Sequence, residues 1–110
     1  MKPLPFILNV REAGIYATIS YRFAKAIVRI GRSRESDVPL VNRRMAVSRH
    51  HAEIRCVKGR FVLVDMESKN ATRLHGLRLT PLQAYPLHCG DCFQVSDFVL
   101  EFRMSRAPDN

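Results

Sequence analysis

Short apolar runs recur along the chain between clusters of turn-forming residues, and nowhere do apolar positions hold helical spacing for three turns. Phe6-Ile7-Leu8-Asn9-Val10 leads into a turn at Arg11-Glu12-Ala13-Gly14. Ile15-Tyr16-Ala17-Thr18-Ile19 follows, rich in β-branched and aromatic side chains, and then Ala26-Ile27-Val28-Arg29-Ile30. Val38-Pro39-Leu40 predicts only a short edge segment, because Pro39 has no N–H to give a ladder. Ala52-Glu53-Ile54-Arg55-Cys56-Val57 alternates apolar and polar residues, as a half-buried strand does. Lys58-Gly59-Arg60 then turns it into Phe61-Val62-Leu63-Val64-Asp65, the clearest hairpin in the chain. Later strands are expected at Leu74-His75, Leu77-Arg78-Leu79, Cys92-Phe93-Gln94-Val95 and Phe98-Val99-Leu100-Glu101-Phe102. Many short strands with regular turn signals predict an all-β sandwich or barrel. Residues 1–103 read as one domain, and 104–110, where the pattern stops, as a frayed tail.

Composition narrows the picture. A chain of 110 residues with 46% apolar content can build one core and has no room for two domains. No apolar run approaches the roughly 20 residues that span a bilayer, so no membrane insertion is expected. The start, Met1-Lys2-Pro3-Leu4-Pro5, has too short an apolar stretch behind it for a secretory signal. Cys56, Cys89 and Cys92 make an odd set, read as reduced thiols, and a cytoplasmic location is expected.

Charge changes the picture more. The net charge is +8, and fourteen of the 18 cationic residues are arginine. The guanidinium fork matches phosphate and carboxylate oxygens in pairs, so the bias points to oxyanion partners. Three polar connections, 31–37, 41–51 and 65–73, gather the unusual residues, and loops on a β scaffold are where binding groups sit.

Those loops carry Gly31-Arg32, Ser48-Arg49-His50-His51 and Ser68-Lys69-Asn70-Ala71-Thr72, and a late turn carries Gly90-Asp91. In order and spacing, over roughly residues 6–102, this set resembles the forkhead-associated (FHA) domain. The resemblance implies a β-sandwich of about eleven strands, FHA/SMAD-like, whose loops at one end hold a phosphothreonine. Such a group carries about −1.5 to −2 charges and three strong acceptor oxygens. Arg32 is then expected to give two parallel hydrogen bonds, Ser48 a hydroxyl donor and Lys69 a point charge. Arg49 belongs to the same basic rim, and Asn70 would bridge the peptide backbone beyond the phosphothreonine. Gly31, His51 and Thr72 are expected to support the loops from behind. Two positions depart from the family pattern. Ala71 replaces a glycine, at a position where positive φ costs a residue with a Cβ about 1 kcal/mol. His75-Gly76 replaces an Asn-Gly, and His75 is expected to keep a hydrogen-bonding role toward peptide.

Rival readings carry less. Cys89-Gly90-Asp91-Cys92 has redox or zinc spacing, but no βαβ context accompanies it and zinc would need two further ligands. The FHA resemblance makes Gly90-Asp91 a turn and Cys92 an inward-facing residue. His51, Ser48 and Asp65 contain the residue types of a hydrolase, yet no nucleophile elbow surrounds Ser48. No catalytic residue, metal or cofactor is therefore expected. Nucleic acid is disfavoured, since neither a stacking platform nor a reading helix can be drawn. The expected partner is a phosphothreonine-containing protein, with a Ser/Thr kinase or its substrate as candidates, and no small-molecule substrate. The alternative is a phosphate-independent scaffold of the same fold.

Overall fold

The computed structural model describes residues 3–104. Eleven strands follow in order: β1 (Phe6–Glu12), β2 (Thr18–Phe23), β3 (Ile27–Gly31), β4 (Val38–Pro39), β5 (Ala52–Val57), β6 (Arg60–Asp65), β7 (Thr72–Leu74), β8 (Leu77–Arg78), β9 (Ala84–Pro86), β10 (Cys92–Val95) and β11 (Phe98–Met104). They form two sheets, one ordered β2-β1-β11-β10-β7-β8 and the other β4-β3-β5-β6-β9. The pattern left sandwich and barrel open, and the chain adopts the all-β sandwich that the FHA resemblance implies. No helix among the described residues is long and apolar enough to cross a membrane.

Period-two alternation builds the core. Phe6, Leu8 and Val10 of β1 point inward, as do Phe61 and Leu63 of β6 and Phe98, Leu100 and Phe102 of β11. Phe6 packs on Phe102 and on Phe61 with ring centroids 5.2 Å apart in each case, joining the two sheets at the end away from the long loops. The same alternation corrects one expectation: Phe93 and Val95 take the inward register of β10, so Cys92 is exposed rather than inward-facing.

Several boundaries differ from the sequence pattern; β1 runs on through Arg11 and Glu12, expected as turn, and β8 stops at Arg78. β2 begins at Thr18, not Ile15, because the antiparallel pairing from Arg11↔Thr18 to Phe6↔Phe23 needs residues 13–17 as the connection. β7 ends at Leu74, and His75 and Gly76 both turn at positive φ (53° and 75°) into β8, so His75 is a hairpin residue and not a strand residue. β11 runs on to Met104, past the last apolar residue of the pattern, because pairing with β1 reaches Phe6↔Met104. The remainder of the expected tail, 105–110, lies outside the described residues. β9 has no counterpart among the expected strands; it lies at the sheet edge, where Pro86 is tolerated.

Strand direction sorts the loops. Connections 32–37, 40–51 and 66–71 and the β10–β11 turn lie at one end of the sandwich. Turns 58–59, 75–76 and 87–91 lie at the other.

Candidate functional site

The loops at the first end are tied together by backbone before any side chain acts. The N–H of Arg32 donates to the Ser48 carbonyl at 2.9 Å, that of Ser33 to Arg49 at 3.3 Å, and that of His51 to Ile30 at 3.0 Å. This close approach needs Gly31. A Cβ there would run into the Arg49 carbonyl and sit 3.0 Å from the Ser48 oxygen.

His51 joins two loops. It is fully buried at the start of the β5 segment, its Nδ1 accepts the Ser48 N–H at 3.0 Å, and its Nε2 lies 2.9 Å from the Ala71 carbonyl. A carbonyl only accepts, so Nε2 carries the proton and the ring is neutral. Burial agrees, pushing the imidazole below its ordinary 6.5 against the opposing pull of the Ala71 carbonyl and the Asp65 charge. With Nδ1 accepting a backbone N–H and Nε2 facing a carbonyl, neither ring nitrogen is available to take a proton from the Ser48 hydroxyl.

Asp65 is the second hub, and it was missed as one by sequence reasoning. It is buried at the end of β6, where Oδ1 accepts from the hydroxyls of Thr72 (2.6 Å) and Ser68, and Oδ2 accepts the Ser68 N–H at 3.1 Å. The signal was available: Phe61, Leu63 and Asp65 share one face of β6, so the carboxylate is aimed at the core and must be satisfied there. Thr72 therefore holds the 66–71 loop through Asp65. Ala71 sits in that loop at φ 71°, the left-handed conformation foreseen for the glycine it replaces.

On this frame, Arg32, Ser48, Arg49, Lys69 and Asn70 line one open cleft of about 500 Å³, together with Arg44, Met45, Ala46 and Val47. Arg32 spends only Nε, donating to the Val47 carbonyl at 3.1 Å, and its two terminal nitrogens have no protein partner among the described residues. The Ser48 hydroxyl oxygen accepts the Lys69 N–H at 2.9 Å, which leaves its own hydrogen free to donate. Asn70 donates one amide hydrogen to the Ala46 carbonyl at 2.9 Å and retains a donor and its acceptor oxygen. A second cleft of about 320 Å³ adjoins the first, sharing Arg44, Ala46 and Asn70 and adding Arg73 and Asp97.

His75 is not brought to this site. It lies in the β7–β8 turn at the opposite end, with Nε2 3.6 Å from Asp91. The expectation that it touches the ligand is corrected by the length of β7, which separates it from Ala71. Cys89, Gly90 and Asp91 are at that far end too, where Cys89 Sγ accepts the Met104 N–H at 3.3 Å and the thiols remain free.

With no helix among the described residues, the sandwich presents unspent arginine, lysine, hydroxyl and amide groups in one cleft, a donor set that matches the oxygens of an oxyanion. Residues 28–96 match the FHA domain family, and the chain belongs to it. It is 39% identical over 100 residues to the oxoglutarate dehydrogenase inhibitor of Corynebacterium glutamicum, covering 91% of this chain and 66% of that protein. It thus spans about two thirds of the length of that relative. Mycobacterium tuberculosis EmbR, in complex with a low-affinity phosphopeptide, superposes with a TM-score of 0.76 at 27% identity, over 94% of this chain and 26% of that one. An engineered FHA domain with the Myc-pTBD peptide gives a TM-score of 0.80 at 21% identity over 93% and 92%, a likeness of fold.

Proposed function

We propose that this domain is a phosphothreonine-dependent protein-interaction module, a binder rather than a catalyst, working in the cytoplasm. The observation that carries the reading is the cleft itself: five donor-bearing residues from three loops converge with their phosphate-directed groups unspent. Arg32 supplies the paired hydrogen bonds and Ser48 the neutral one. Lys69 and Arg49 supply charge at the rim, and Asn70 holds the peptide backbone beside the phosphate. Gly31, His51 and Thr72 keep these groups in register. Family membership and the phosphopeptide held by EmbR support the same assignment.

The test is fluorescence-polarisation binding to a degenerate phosphothreonine peptide library, with phosphoserine and unphosphorylated libraries beside it. Charge-assisted hydrogen bonds contribute roughly 1.5–3 kcal/mol each, so Arg32→Ala should remove most measurable binding. Equal affinity for a phosphothreonine peptide and its unphosphorylated twin would sink the reading.

The name of the Corynebacterium relative, an oxoglutarate dehydrogenase inhibitor, supports a dehydrogenase as a further kind of partner. A partner complex that survives both phosphatase treatment and Arg32→Ala would favour a phosphate-independent scaffold instead.

A further inference from the structure

Behind the cleft, two carboxylates and one backbone N–H meet on a single side-chain amide. Asn42 lies early in the 40–51 loop. Its Nδ2 donates to Glu12 Oε2 at 3.0 Å and to Asp97 Oδ2 at 3.2 Å. Its Oδ1 accepts the N–H of Arg44 at 3.2 Å, and its carbonyl accepts that of Met45, also at 3.2 Å. Glu12 closes β1 and Asp97 sits in the β10–β11 turn, so both carboxylates belong to the sheet opposite the one that β4 and β5 enter. Asp97 spends its other oxygen on Arg44, whose Nη1 is 3.4 Å away.

A primary amide matches this position on both counts. It offers two donor hydrogens to two acceptors and still presents an acceptor to the Arg44 backbone. Alanine would leave two neighbouring carboxylates with nothing between them. Aspartate would add a third negative charge at the same spot. The amide fastens the first half of the loop across the sandwich and fixes the turn at Asn42–Met45. Arg44 is thereby held, by its backbone through Asn42 and by its guanidinium through Asp97. It is also the charged residue that lines both clefts, standing where they join.

We propose that Asn42 is a positioning residue for ligand binding: it touches no ligand, and acts by presenting Arg44 at the junction of the two clefts. This rests on the phosphothreonine reading above. A role through Arg44 differs in an observable way from a general role in holding the domain together. If Asn42 works through Arg44, its removal matters only while Arg44 is there.

The experiment is a double-mutant cycle on affinity for one phosphothreonine peptide chosen from the library, using wild type, Asn42→Ala, Arg44→Ala and the double variant, each checked by thermal melting. Asn42→Ala and Arg44→Ala should each weaken binding roughly fivefold, and the double variant should bind as Arg44→Ala does, the signature of coupled residues. Asn42→Asp keeps the shape and removes the donors, and serves as the second variant; it should lose at least as much as Asn42→Ala. Unchanged affinity in both Asn42 variants, or losses that multiply in the double variant, would overturn the proposal. Failure of wild type to prefer the phosphorylated peptide is a separate result that removes the phosphothreonine reading and this inference together, whereas phosphate-selective wild-type binding with uncoupled losses removes the inference alone.

Discussion

Gly31, His51 and Ala71 never need to touch a ligand, yet each fixes where the ligand groups stand. At Gly31 the obstacle is backbone: a side chain would meet the Arg49 carbonyl, and no rotamer change can clear it. At Ala71 the loop holds φ 71° with a Cβ present, at a cost of about 1 kcal/mol. The cost is met by the buried bond from the ring of His51 to the Ala71 carbonyl and by the Asp65–Thr72 bond beside it. His51 makes a pH prediction. Its folded-state pKa lies below 6.5, so on acidification the unfolded chain takes up the proton first. The stabilisation is complete above about pH 6.5 and is lost as pH falls through that value toward the folded pKa. Thermal melts of the free domain, from about pH 7.5 down to about pH 5, should show a falling midpoint that His51→Gln flattens. A wild-type midpoint that holds constant or rises on acidification would contradict the neutral buried imidazole. Using the free domain keeps the ligand's own phosphate titration out of the measurement.

Strands were legible where alternation and turn chemistry agreed. The β5–β6 hairpin follows its sequence pattern almost residue for residue, because a one-residue slip would move Ile54, Phe61 and Leu63 out of the core. Ile15 and Tyr16 read as strand by residue type but are exposed in the β1–β2 connection, since propensity records what fits a sheet and not where pairing starts. Ala84-Tyr85-Pro86 carries almost no strand signal, and β9 exists through its tertiary pairing to β6. The loop residues were readable as a set through the family pattern, and Asp65 was readable as an inward-facing residue of β6, whereas Asn42 was not, because Glu12 and Asp97 lie across the fold and spacing says nothing of them. His75 marks the limit of transferring a motif without direction. Three residues of β7 carry it from the ligand end to the far end, where it faces Asp91. His75→Ala should therefore leave phosphopeptide affinity within about twofold of wild type, since additivity holds for distant sites without shared partners. Titrating one fluorescent peptide against both proteins checks it, and a loss comparable to that of Arg32→Ala would return His75 to the site.

Across the whole molecule the net charge is +8, and six of the 18 cationic residues stand where the loops converge. Arg32, Arg34, Arg43, Arg44, Arg49 and Lys69 all sit in the connections at the cleft end. Among them, Arg34 and Arg43 are exposed and line neither cleft, so direct contact gives them no role. Their field still reaches an approaching dianion, because the Debye length is about 10 Å at 0.1 M salt and about 30 Å at 0.01 M. Charges that steer without touching change association rates and leave dissociation alone, whereas contacts change dissociation. The double variant Arg34→Ala/Arg43→Ala should thus bind a phosphothreonine peptide several-fold more slowly than wild type at about 0.01 M salt, with an unchanged off-rate. The gap should close at about 1 M, where the screening length is about 3 Å. Stopped-flow fluorescence at the two salt concentrations separates the cases. A faster off-rate in the variant that persists at high salt would mean that these arginines grip the peptide, and the recognition surface would then extend beyond the two clefts onto the outer faces of the loops.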